Sequence, residues 1–319
     1  MANRLLRWAL FSCLFISNAQ ALNIVSHKTA GLEYPENTLE GMVYSLTLPY
    51  VSAIEVDLHF TKDREIVLSH DPTLDDFNCG EDYSVNIAQT NYSDISELNC
   101  INQELKRAYK VPSIDPILRS LKVSKRSDIE LNLEIKVLDD LISNWSRYQK
   151  FGIGNLHIDE MEMAKLIYAK LREHKIKSNI MFSTFSRPLL LELKRLKKAD
   201  EEFRFALIYK GSYAPLRLWL VATLMGKECF DTCWWPDWEN VKTWLTENEI
   251  DAFLPNWPQL SHFLFNRSYK NHFNKDNLPF KILPWTPNTA EDWSQLSEYT
   301  FSSVITDAPS KYYKWQNSN

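Results

Sequence analysis

Short strand-like runs alternate with helical stretches along residues 22–319, and this rhythm constrains the fold more than any other sequence feature. Such alternation predicts a parallel sheet, because parallel neighbours need a helical crossover between them. About eight such units, without a break in composition, favour a single (β/α)8 TIM barrel over a doubly wound sheet. The candidate strands are Leu22–Lys28, Ala53–Phe60, Ile66–His70, Ile129–Val137, Asn179–Phe185, Phe203–Tyr209, Asp251–Pro255, Phe280–Thr286 and Ser302–Thr306.

One part of this count is ambiguous. The candidates Ala53–Phe60 and Ile66–His70 are joined by the short turn Thr61–Arg64, which leaves no room for a crossover helix. A polar stretch rich in Asn, Asp and Ser then runs from residue 72 to residue 109. Loops that leave the carboxyl ends of barrel strands lie over the active site. This stretch is therefore predicted to be an inserted loop region, after the third strand, that tunes the substrate.

Composition narrows the functional classes. The chain has 319 residues, is 45% hydrophobic and 24% charged, and carries a formal net charge of -5. This is the composition of an ordinary globular protein, and a negative net charge without a basic patch argues against nucleic acid as a partner. Only seven glycines are present, and they form no Gly-rich phosphate-binding motif.

The first 21 residues have the three parts of a secretory signal peptide. Arg4 and Arg7 precede an apolar run from Trp8 to Ile16, and Ala19-Gln20-Ala21 offers a small-x-small cleavage site. The apolar run is shorter than the ~20 residues that span a bilayer, so cleavage is favoured over a retained anchor. The sequence therefore predicts an exported protein, periplasmic or secreted, with no transmembrane segment in the mature chain.

Four cysteines remain after the predicted cleavage. An even number in an oxidising compartment predicts two disulfide bonds, for which three connectivities are possible. We expect local pairing, Cys79 with Cys100 and Cys229 with Cys233, and four unpaired thiols are the alternative. The spacings do not match a zinc site built from paired CxxC elements.

Two candidate strands alternate apolar and acidic residues. In AIEVDLHF, residues 53–60, Glu55, Asp57 and His59 share one face, and in IELNLEIKV, residues 129–137, Glu134 and Lys136 share another. Buried parallel strands are usually apolar on both faces, so these acids are expected to point into the barrel. Carboxylates gathered there repel one another unless a cation holds them. The alternative is a pair of antiparallel strands with one face in water.

The residues that could carry chemistry occur where a barrel brings them together, because catalytic groups of such barrels lie at the carboxyl ends of several strands. A hard cation prefers oxygen ligands, imidazoles move protons, and ammonium groups face phosphate oxygens. The set therefore predicts metal-assisted phosphoryl chemistry. Its members are His27, His70, Glu55, Asp57, Glu134, Lys28 and Lys136.

These residues stand in a series of motifs that resembles the glycerophosphodiester phosphodiesterase family. The family pattern reads His-Arg-Gly, Pro-Glu-Asn-Thr, Glu-x-Asp, Thr-Lys-Asp-Gly, His-Asp, Glu-x-Lys, Trp-Thr-x-Asn and Thr-Asp-x-Pro. Each motif is weak alone, but together, in this order and spacing, they cover essentially all of the mature chain. The matching residues are His27-Lys28-Thr29, Pro35-Glu36-Asn37-Thr38, Glu55-Val56-Asp57, Thr61-Lys62-Asp63-Arg64, His70-Asp71, Glu134-Ile135-Lys136, Trp285-Thr286-Pro287-Asn288 and Thr306-Asp307-Ala308-Pro309.

The resemblance implies a role for each site residue. Glu55, Asp57 and Glu134 are expected to hold one divalent cation, Ca²⁺ or Mg²⁺. His27 and His70 are expected to act as general acid and general base, in an order that the sequence leaves open. Glu36 is expected to support the site without being a ligand, because Asn37-Thr38 beside it also reads as a helix start. The expected contacts to substrate or phosphate are Lys28, Lys136 and Trp285.

Two residues directly after His27 depart from the family pattern. Lys28 replaces an arginine, so a planar two-point phosphate contact becomes a single ammonium. Thr29 replaces a glycine, and its branched side chain is expected to narrow the approach to the catalytic centre. These changes bear on substrate identity more than on activity, because every acid and both histidines are present.

The other histidines match no site motif. His59 shares the face of Glu55 and Asp57, and it is expected to be a hydrogen-bonded structural residue or a support for the site. Surface or loop positions are expected for His157, His174, His262 and His272.

Three functions remain open. The first is an exported, metal-dependent phosphodiesterase that hydrolyses water-soluble glycerophosphodiesters to an alcohol and glycerol 3-phosphate. The second is a lysophospholipase of phospholipase C or D type, which the apolar, tryptophan-rich segment 216–238 keeps open. The third is a non-catalytic binding protein on the same barrel, against which the intact carboxylates and histidines argue.

Overall fold

The fold is described from a computed structural model of the chain. The structure describes residues 22–74, 79, 85–137, 156–209, 238–261, 273–274 and 277–318. The predicted signal peptide, the predicted Cys229–Cys233 bond and nearly all of the tryptophan-rich segment lie outside these residues. Within the described part of the chain, no helix is long and apolar enough to cross a membrane.

Eight parallel strands form the body of the molecule. In chain order the described strands of the molecule are β1 Asn23–Ser26, β2 Val51–Phe60, β3 Ile66–Leu68, β4 Thr73–Leu74, β5 Val85–Asn86, β6 Cys100–Asn102, β7 Arg107–Tyr109, β8 Glu130–Ile135, β9 Ser178–Thr184, β10 Glu202–Tyr209, β11 Ala252–Pro255, β12 Lys281–Ile282 and β13 Ser303–Thr306. The eight parallel strands follow one another in the order β12, β11, β10, β9, β8, β2, β1 and β13, and Trp285, just past β12, makes a parallel bridge to Ile305 of β13. The result is a nearly closed barrel, which confirms the predicted (β/α)8 fold.

The ambiguous third candidate is not a barrel strand. β3 pairs antiparallel with the end of β2, with Leu58 opposite Leu68. The physical reason is the length of the connection, since a short turn can reverse the chain but cannot cross over to a parallel position. In contrast, β2 pairs with β8 in parallel, so the antiparallel alternative for the two acid-bearing strands is excluded.

Helices surround the barrel, and their first turns follow the capping rules. The Asp159 side chain accepts hydrogen bonds from two amides at the start of α4, Glu160–Glu173, and Ser186 caps α5, Arg187–Leu196. The sequence patterns Glu160–Lys175 and Arg187–Lys198 predict these two helices, each of which ends two residues earlier than its pattern. The described helices are α1 Leu39–Thr47, α2 Tyr92–Glu97, α3 Ile114–Val123, α4 Glu160–Glu173, α5 Arg187–Leu196, α6 Trp238–Glu247, α7 Trp257–Ser261, α8 Ala290–Leu296 and α9 Pro309–Gln316.

The inserted stretch, residues 72–109, has more structure than a loop. Its described residues contain two small antiparallel sheets, β4 with β5 and β6 with β7, and the helix α2. Ile87, Ile95 and Leu98 form an apolar cluster separate from the main core. Cys79 and Cys100 belong to this cluster and are joined in a disulfide, as expected. Although its composition is polar, this stretch therefore forms a small folded unit with a core of its own.

Candidate active site

The barrel places three acidic side chains next to one another. In the parallel pairing of β2 with β8, Asp57 lies beside Glu134 and Glu55 lies beside Asn132. Val56 and its apolar neighbours on alternate positions belong to the main core, so the acids point to the opposite face, into the barrel. Oxygen atoms of Glu55, Asp57 and Glu134 lie within 4.8 Å of one another, and all three residues are buried.

Lys136 lies inside this acidic cluster. Its Nζ is 2.9 Å from Asp57 Oδ1 and also contacts Glu134 Oε1. Burial alone raises the pKa of Asp57, but Lys136 and then His70 outweigh it and lower that pKa below its usual range. Burial, and then the charges of Asp57 and Glu134, raise the pKa of Glu55 well above its usual value. In this cluster Lys136 therefore favours the ionised form of Asp57, whereas burial and the acidic neighbours disfavour the ionised form of Glu55.

A divalent cation fits this set of donors. Glu55 Oε1 is buried and has no hydrogen-bond partner among the described residues. The other oxygen of this carboxylate accepts a hydrogen bond from the Lys28 amide at 2.7 Å, which fixes its orientation. Carboxylate oxygens are the ligands that Ca²⁺ and Mg²⁺ prefer, and a cation there stabilises the ionised form of Glu55.

His27 is held by an aspartate to which the sequence motifs assign no role. Its Nδ1 is 2.6 Å from Asp307 Oδ1, and its Nε2 is 3.8 Å from Glu55 Oε2. Asn288 fixes Asp307 in turn, because its amide donates to Asp307 Oδ2 at 2.6 Å and its carbonyl accepts from the Asp307 backbone at 2.9 Å. Asn288 belongs to the Trp-Thr-x-Asn motif and Asp307 to the Thr-Asp-x-Pro motif. The motifs therefore mark both residues, but their contacts with each other and with His27 are visible only in the structure.

This pairing changes the proton affinity of both partners. Burial alone lowers the pKa of His27, but the charge and hydrogen bond of Asp307, together with Glu55, raise it to about 9. Burial alone raises the pKa of Asp307, but His27 and the Asn288 amide lower it to about 2. Asp307 therefore holds a proton on His27 Nδ1, and Nε2 is the nitrogen that faces the acidic cluster.

The turn after β1 has an unusual backbone conformation. Lys28, Thr29 and Ala30 have φ angles of 47°, 60° and 70°, in the left-handed region that favours glycine. The turn directs the Lys28 amide to Glu55 and the Lys28 ammonium to Glu36 Oε2, at 2.7 Å and 3.2 Å. Glu36 is therefore in contact with a predicted phosphate-binding residue, as a supporting residue should be.

Thr29 does not narrow the approach to the site, contrary to expectation. Its side chain is fully buried, and its Oγ1 accepts a hydrogen bond from the Thr38 amide at 3.3 Å. A β-carbon added to Gly41 in α1 would lie 2.5 Å from Thr29 Oγ1. The branched side chain packs against the start of α1, where the absence of a side chain at Gly41 leaves room for it.

Asn37 is a second residue without a role in the sequence motifs. Its side-chain amide donates to Asp57 Oδ2 at 2.7 Å, and its side-chain carbonyl accepts from the Asp57 backbone at 2.9 Å. Thr38 caps α1 as expected, because its hydroxyl accepts from the Gly41 amide at 3.1 Å. The Pro-Glu-Asn-Thr motif therefore starts a helix and also orients one carboxylate of the cluster.

His70 lies beside the inserted unit. It follows β3, and its Nδ1 is 3.0 Å from Asp71 Oδ1. It lines a small cavity that opens to solvent, here called the insert cavity, together with Glu36, Asp71 and Tyr109. Tyr109 ends β7 of the inserted unit, so this unit borders the site, as the sequence predicts for a segment that follows His70.

Two further histidines lie behind His70. The Nε2 of His59 is 3.2 Å from the His70 carbonyl oxygen, and the rings of His59 and His157 stack with centroids 5.2 Å apart. Burial lowers the pKa of His59 to about 4 and lowers the pKa of His157 well below its usual value. The expected role of His59 as a hydrogen-bonded residue is confirmed. His157 lies in a loop before α4, as expected, and is half-buried there.

Trp285 lies next to two residues of the acidic cluster. It lines a second small cavity together with His27, Glu55 and Glu134. Its indole Nε1 donates to the Leu254 carbonyl at 2.9 Å, which fixes the ring beside the acids. We call this space the barrel cavity. The nine residues that the sequence predicts for the site thus lie around one end of the barrel, while their catalytic and binding roles stay predictions.

Comparison with known proteins agrees with this geometry. Residues 27–311 match the model of the glycerophosphoryl diester phosphodiesterase family. The chain is 21% identical over 288 residues to a glycerophosphodiester phosphodiesterase of Caldanaerobacter subterraneus subsp. tengcongensis, which covers 90% of this chain and 94% of that protein. It is also 26% identical over 121 residues to rat (Rattus norvegicus) lysophospholipase D GDPD1, a match that spans 37% of each chain.

The barrel also resembles solved structures. It superposes on a phosphodiesterase of Oleispira antarctica, solved in complex with the product sn-glycerol-3-phosphate, with a TM-score of 0.63 and 16% sequence identity. That superposition covers 92% of this chain and 96% of the other. At this identity the likeness shows the fold, whereas the match to the family model covers residues 27–311 of the 319. The chain therefore belongs to the glycerophosphoryl diester phosphodiesterase family.

Proposed function

We propose that this chain is an exported, cation-dependent phosphodiesterase that hydrolyses water-soluble glycerophosphodiesters to an alcohol and glycerol 3-phosphate. The observation that carries the proposal is one convergence: the imidazole of His27, held by Asp307, faces a cluster of three buried carboxylates at one end of the barrel. Family membership supplies the substrate class. The product named for the Oleispira relative is the same glycerol phosphate.

The acidic cluster is where the cation belongs. Glu55, Asp57 and Glu134 would hold it, and either Ca²⁺ or Mg²⁺ suits oxygen ligands, with calcium favoured for an exported enzyme. When bound, the cation supplies positive charge that stabilises a phosphate oxygen and a glycerol hydroxyl. Lys136, already within the cluster, and Lys28, at its edge, add ammonium groups that stabilise negative charge on the phosphoryl oxygens.

The two histidines divide the proton transfers. A new bond forms between phosphorus and an oxygen from water, or from the neighbouring glycerol hydroxyl through a cyclic phosphate, and the bond from phosphorus to the alcohol oxygen breaks. One imidazole takes the proton of the attacking oxygen and the other gives a proton to the alcohol oxygen. His27 exchanges its proton at Nε2, because Asp307 holds Nδ1. The backbone of His70 is fixed through its carbonyl by His59.

A matched pair of histidine variants tests the proposal. The mature chain is incubated with glycerophosphocholine and with lysophosphatidylcholine, each with and without chelator, and the products are quantified. His27→Ala should lower turnover of glycerophosphocholine by at least about a hundredfold, since general acid–base catalysis contributes that much. His174→Ala is the control, because His174 also pairs with an aspartate, Asp115 at 2.7 Å, but away from the site.

Each outcome decides between the open functions. Hydrolysis of lysophosphatidylcholine alone would favour the lysophospholipase alternative, which the rat relative's name keeps in view. Binding without hydrolysis of either compound would favour the non-catalytic alternative. Equal turnover in His27→Ala and the control would contradict the proposed mechanism.

Export is the second part of the proposal. Its support is the signal-like composition of residues 1–21 and the Cys79–Cys100 disulfide, since disulfides persist in oxidising compartments. The full chain is expressed in a bacterium, and the amino terminus of the exported protein is sequenced. Its first residue should be Leu22. A full-length chain that remained in the cytoplasm would contradict export.

A further inference from the structure

Two cavities border the acidic cluster: Glu55 and Glu134 line the first, and the second is lined by Asn37, whose side chain donates to Asp57 Oδ2. The barrel cavity contains His27, Glu134 and Trp285, whereas the insert cavity contains His70, Glu36 and Tyr109. A glycerophosphodiester carries two alcohols on one phosphate, so each alcohol needs a place of its own. The inference drawn from these two cavities rests on the proposed function.

The side chains of the barrel cavity are suited to the glycerol part of the substrate. Glu55 and Glu134 line this cavity, and they are two of the three carboxylates that could hold a cation. Such a cation takes oxygen ligands, and the free hydroxyls of glycerol can supply them. The alcohol that varies between substrates then falls to the insert cavity, next to His70.

The insert cavity presents negative charge and an aromatic ring. Burial, and then the carboxylates of Glu36 and Asp71, raise the pKa of Tyr109 to about 12, which places this phenol in a negative potential. Two cations lie near these groups, and one of them, the Lys28 ammonium, contacts Glu36 Oε2 at 3.2 Å in this structure. The guanidinium of Arg107 lies over the Tyr34 ring, 4.6 Å from its centroid, and Lys28 is the residue proposed to turn to the phosphate.

We propose that the insert cavity selects substrates whose alcohol is positively charged, an amine or a quaternary ammonium. Carboxylates attract such a group, and the face of Tyr109 can stabilise it by a cation–π contact. A neutral polyol gains neither interaction, and an anionic alcohol is repelled by Glu36 and Asp71. The inserted unit thus contributes to substrate choice through a named side chain, Tyr109, that is absent from the sequence motifs.

A comparison of two substrates tests this preference. Glycerophosphocholine and glycerophosphoglycerol share the glycerol phosphate and differ in the charge of the alcohol. The wild-type kcat/KM should be about tenfold higher for glycerophosphocholine, a ratio within the range of a partly desolvated cation–π contact. Tyr109→Leu should remove most of this preference and Tyr109→Phe should keep it, because phenylalanine retains the aromatic face.

Charge is tested separately with a matched control. Glu36→Gln should reduce the preference, because it removes one carboxylate of the cavity. Asp128→Asn should leave it unchanged, because Asp128 is exposed and precedes β8 at the other end of the barrel. The variants are compared by the ratio of the kcat/KM values for the two substrates. An effect of Glu36→Gln on Lys28 changes both values alike and therefore cancels in this ratio. Equal kcat/KM values for the two substrates in the wild type, or an unchanged ratio in Tyr109→Leu, would overturn the inference.

A binding measurement keeps the inference separate from the proposed function. In His27→Ala, calorimetric titration should give a lower Kd for glycerophosphocholine than for glycerophosphoglycerol, and Tyr109→Leu in the same background should equalise them. If the wild type hydrolysed neither substrate, the proposed function would fail while this titration still decided the inference. Equal Kd values in His27→Ala would overturn it.

Discussion

His27 Nδ1 and Asp307 Oδ1 lie 2.6 Å apart, although 280 positions separate the two residues in the sequence. Closure of the barrel creates this contact. β1 and β13 pair in parallel with Ser26 beside Thr306. His27 directly follows Ser26, and Asp307 directly follows Thr306. The same pairing that closes the sheet therefore positions the proposed proton carrier.

Removing the Asp307 charge should change the proton affinity of His27. Asp307→Asn keeps the shape of the side chain but loses the interaction that raises the His27 pKa to about 9, so this pKa should fall toward 6.5. Titration of the cation-free protein by NMR of the histidine ring measures it. Asp115→Asn is the control, since Asp115 pairs with His174 and should leave the His27 resonance unchanged.

The same pair should make stability depend on pH. Because the pKa of His27 is raised, its contribution to the free energy of unfolding is fully present below about pH 6.5 and is lost as the pH rises through about 9. Because the pKa of Asp307 is lowered, its contribution is present above about pH 3.8 and is lost as the pH falls through about 2. Urea unfolding of the cation-free protein should show the difference between wild type and His27→Gln shrinking from pH 6 to pH 9. A constant difference would contradict the assignment.

Cation binding should depend on the acidic cluster. Glu55→Gln removes the carboxylate whose Oε1 has no hydrogen-bond partner in the described chain, and Glu134→Gln removes its neighbour. Calorimetric titration with Ca²⁺ and with Mg²⁺ should show binding to the wild type and a loss of at least about tenfold in each variant, because a ligand is lost. Glu173→Gln, at an exposed position in α4, should bind as the wild type does. Full activity after exhaustive chelation would remove the cation from the mechanism.

Lys28 should tolerate arginine better than alanine. Lys28→Arg restores the forked donor suited to phosphate and should preserve activity or improve it. Lys28→Ala should raise KM and lower kcat together, because the ammonium is expected to contact the phosphate in the bound state and more strongly as negative charge develops in the transition state. Steady-state kinetics with glycerophosphocholine measure both. Wild-type kinetics in Lys28→Ala would show that this lysine has no phosphate contact.

Thr29 and Gly41 should be energetically coupled. A β-carbon at position 41 would lie 2.5 Å from both the carbonyl oxygen and the hydroxyl of Thr29, so Gly41→Ala should destabilise the fold by about 1–3 kcal/mol. Thr29→Gly removes the hydroxyl but leaves the carbonyl. In that background, Gly41→Ala should therefore lower the free energy of unfolding by less than it does in the wild type. A double-mutant cycle by urea unfolding should give a coupling of at least about 0.5 kcal/mol. Purely additive effects would contradict the contact.

Local sequence patterns are sufficient to predict the barrel and the residues of the acidic cluster. Alternating strands and helices predict the (β/α)8 fold because local periodicity and crossover length are recorded in consecutive residues. The acids of AIEVDLHF and IELNLEIKV could be placed on inward faces because side chains of a strand alternate with a period of two.

Contacts between distant segments follow from the folded structure and are not encoded in any local pattern. The partners Asp307 of His27 and Asn37 of Asp57 come from other parts of the chain, and no local pattern encodes which side chain will face which. The antiparallel placement of β3 depended on a turn too short for a crossover, and the packing of the His157 ring on His59 depended on how a distant loop returns to β2. Periodicity gives the face of a strand, whereas the neighbour on that face is fixed by closure of the whole barrel.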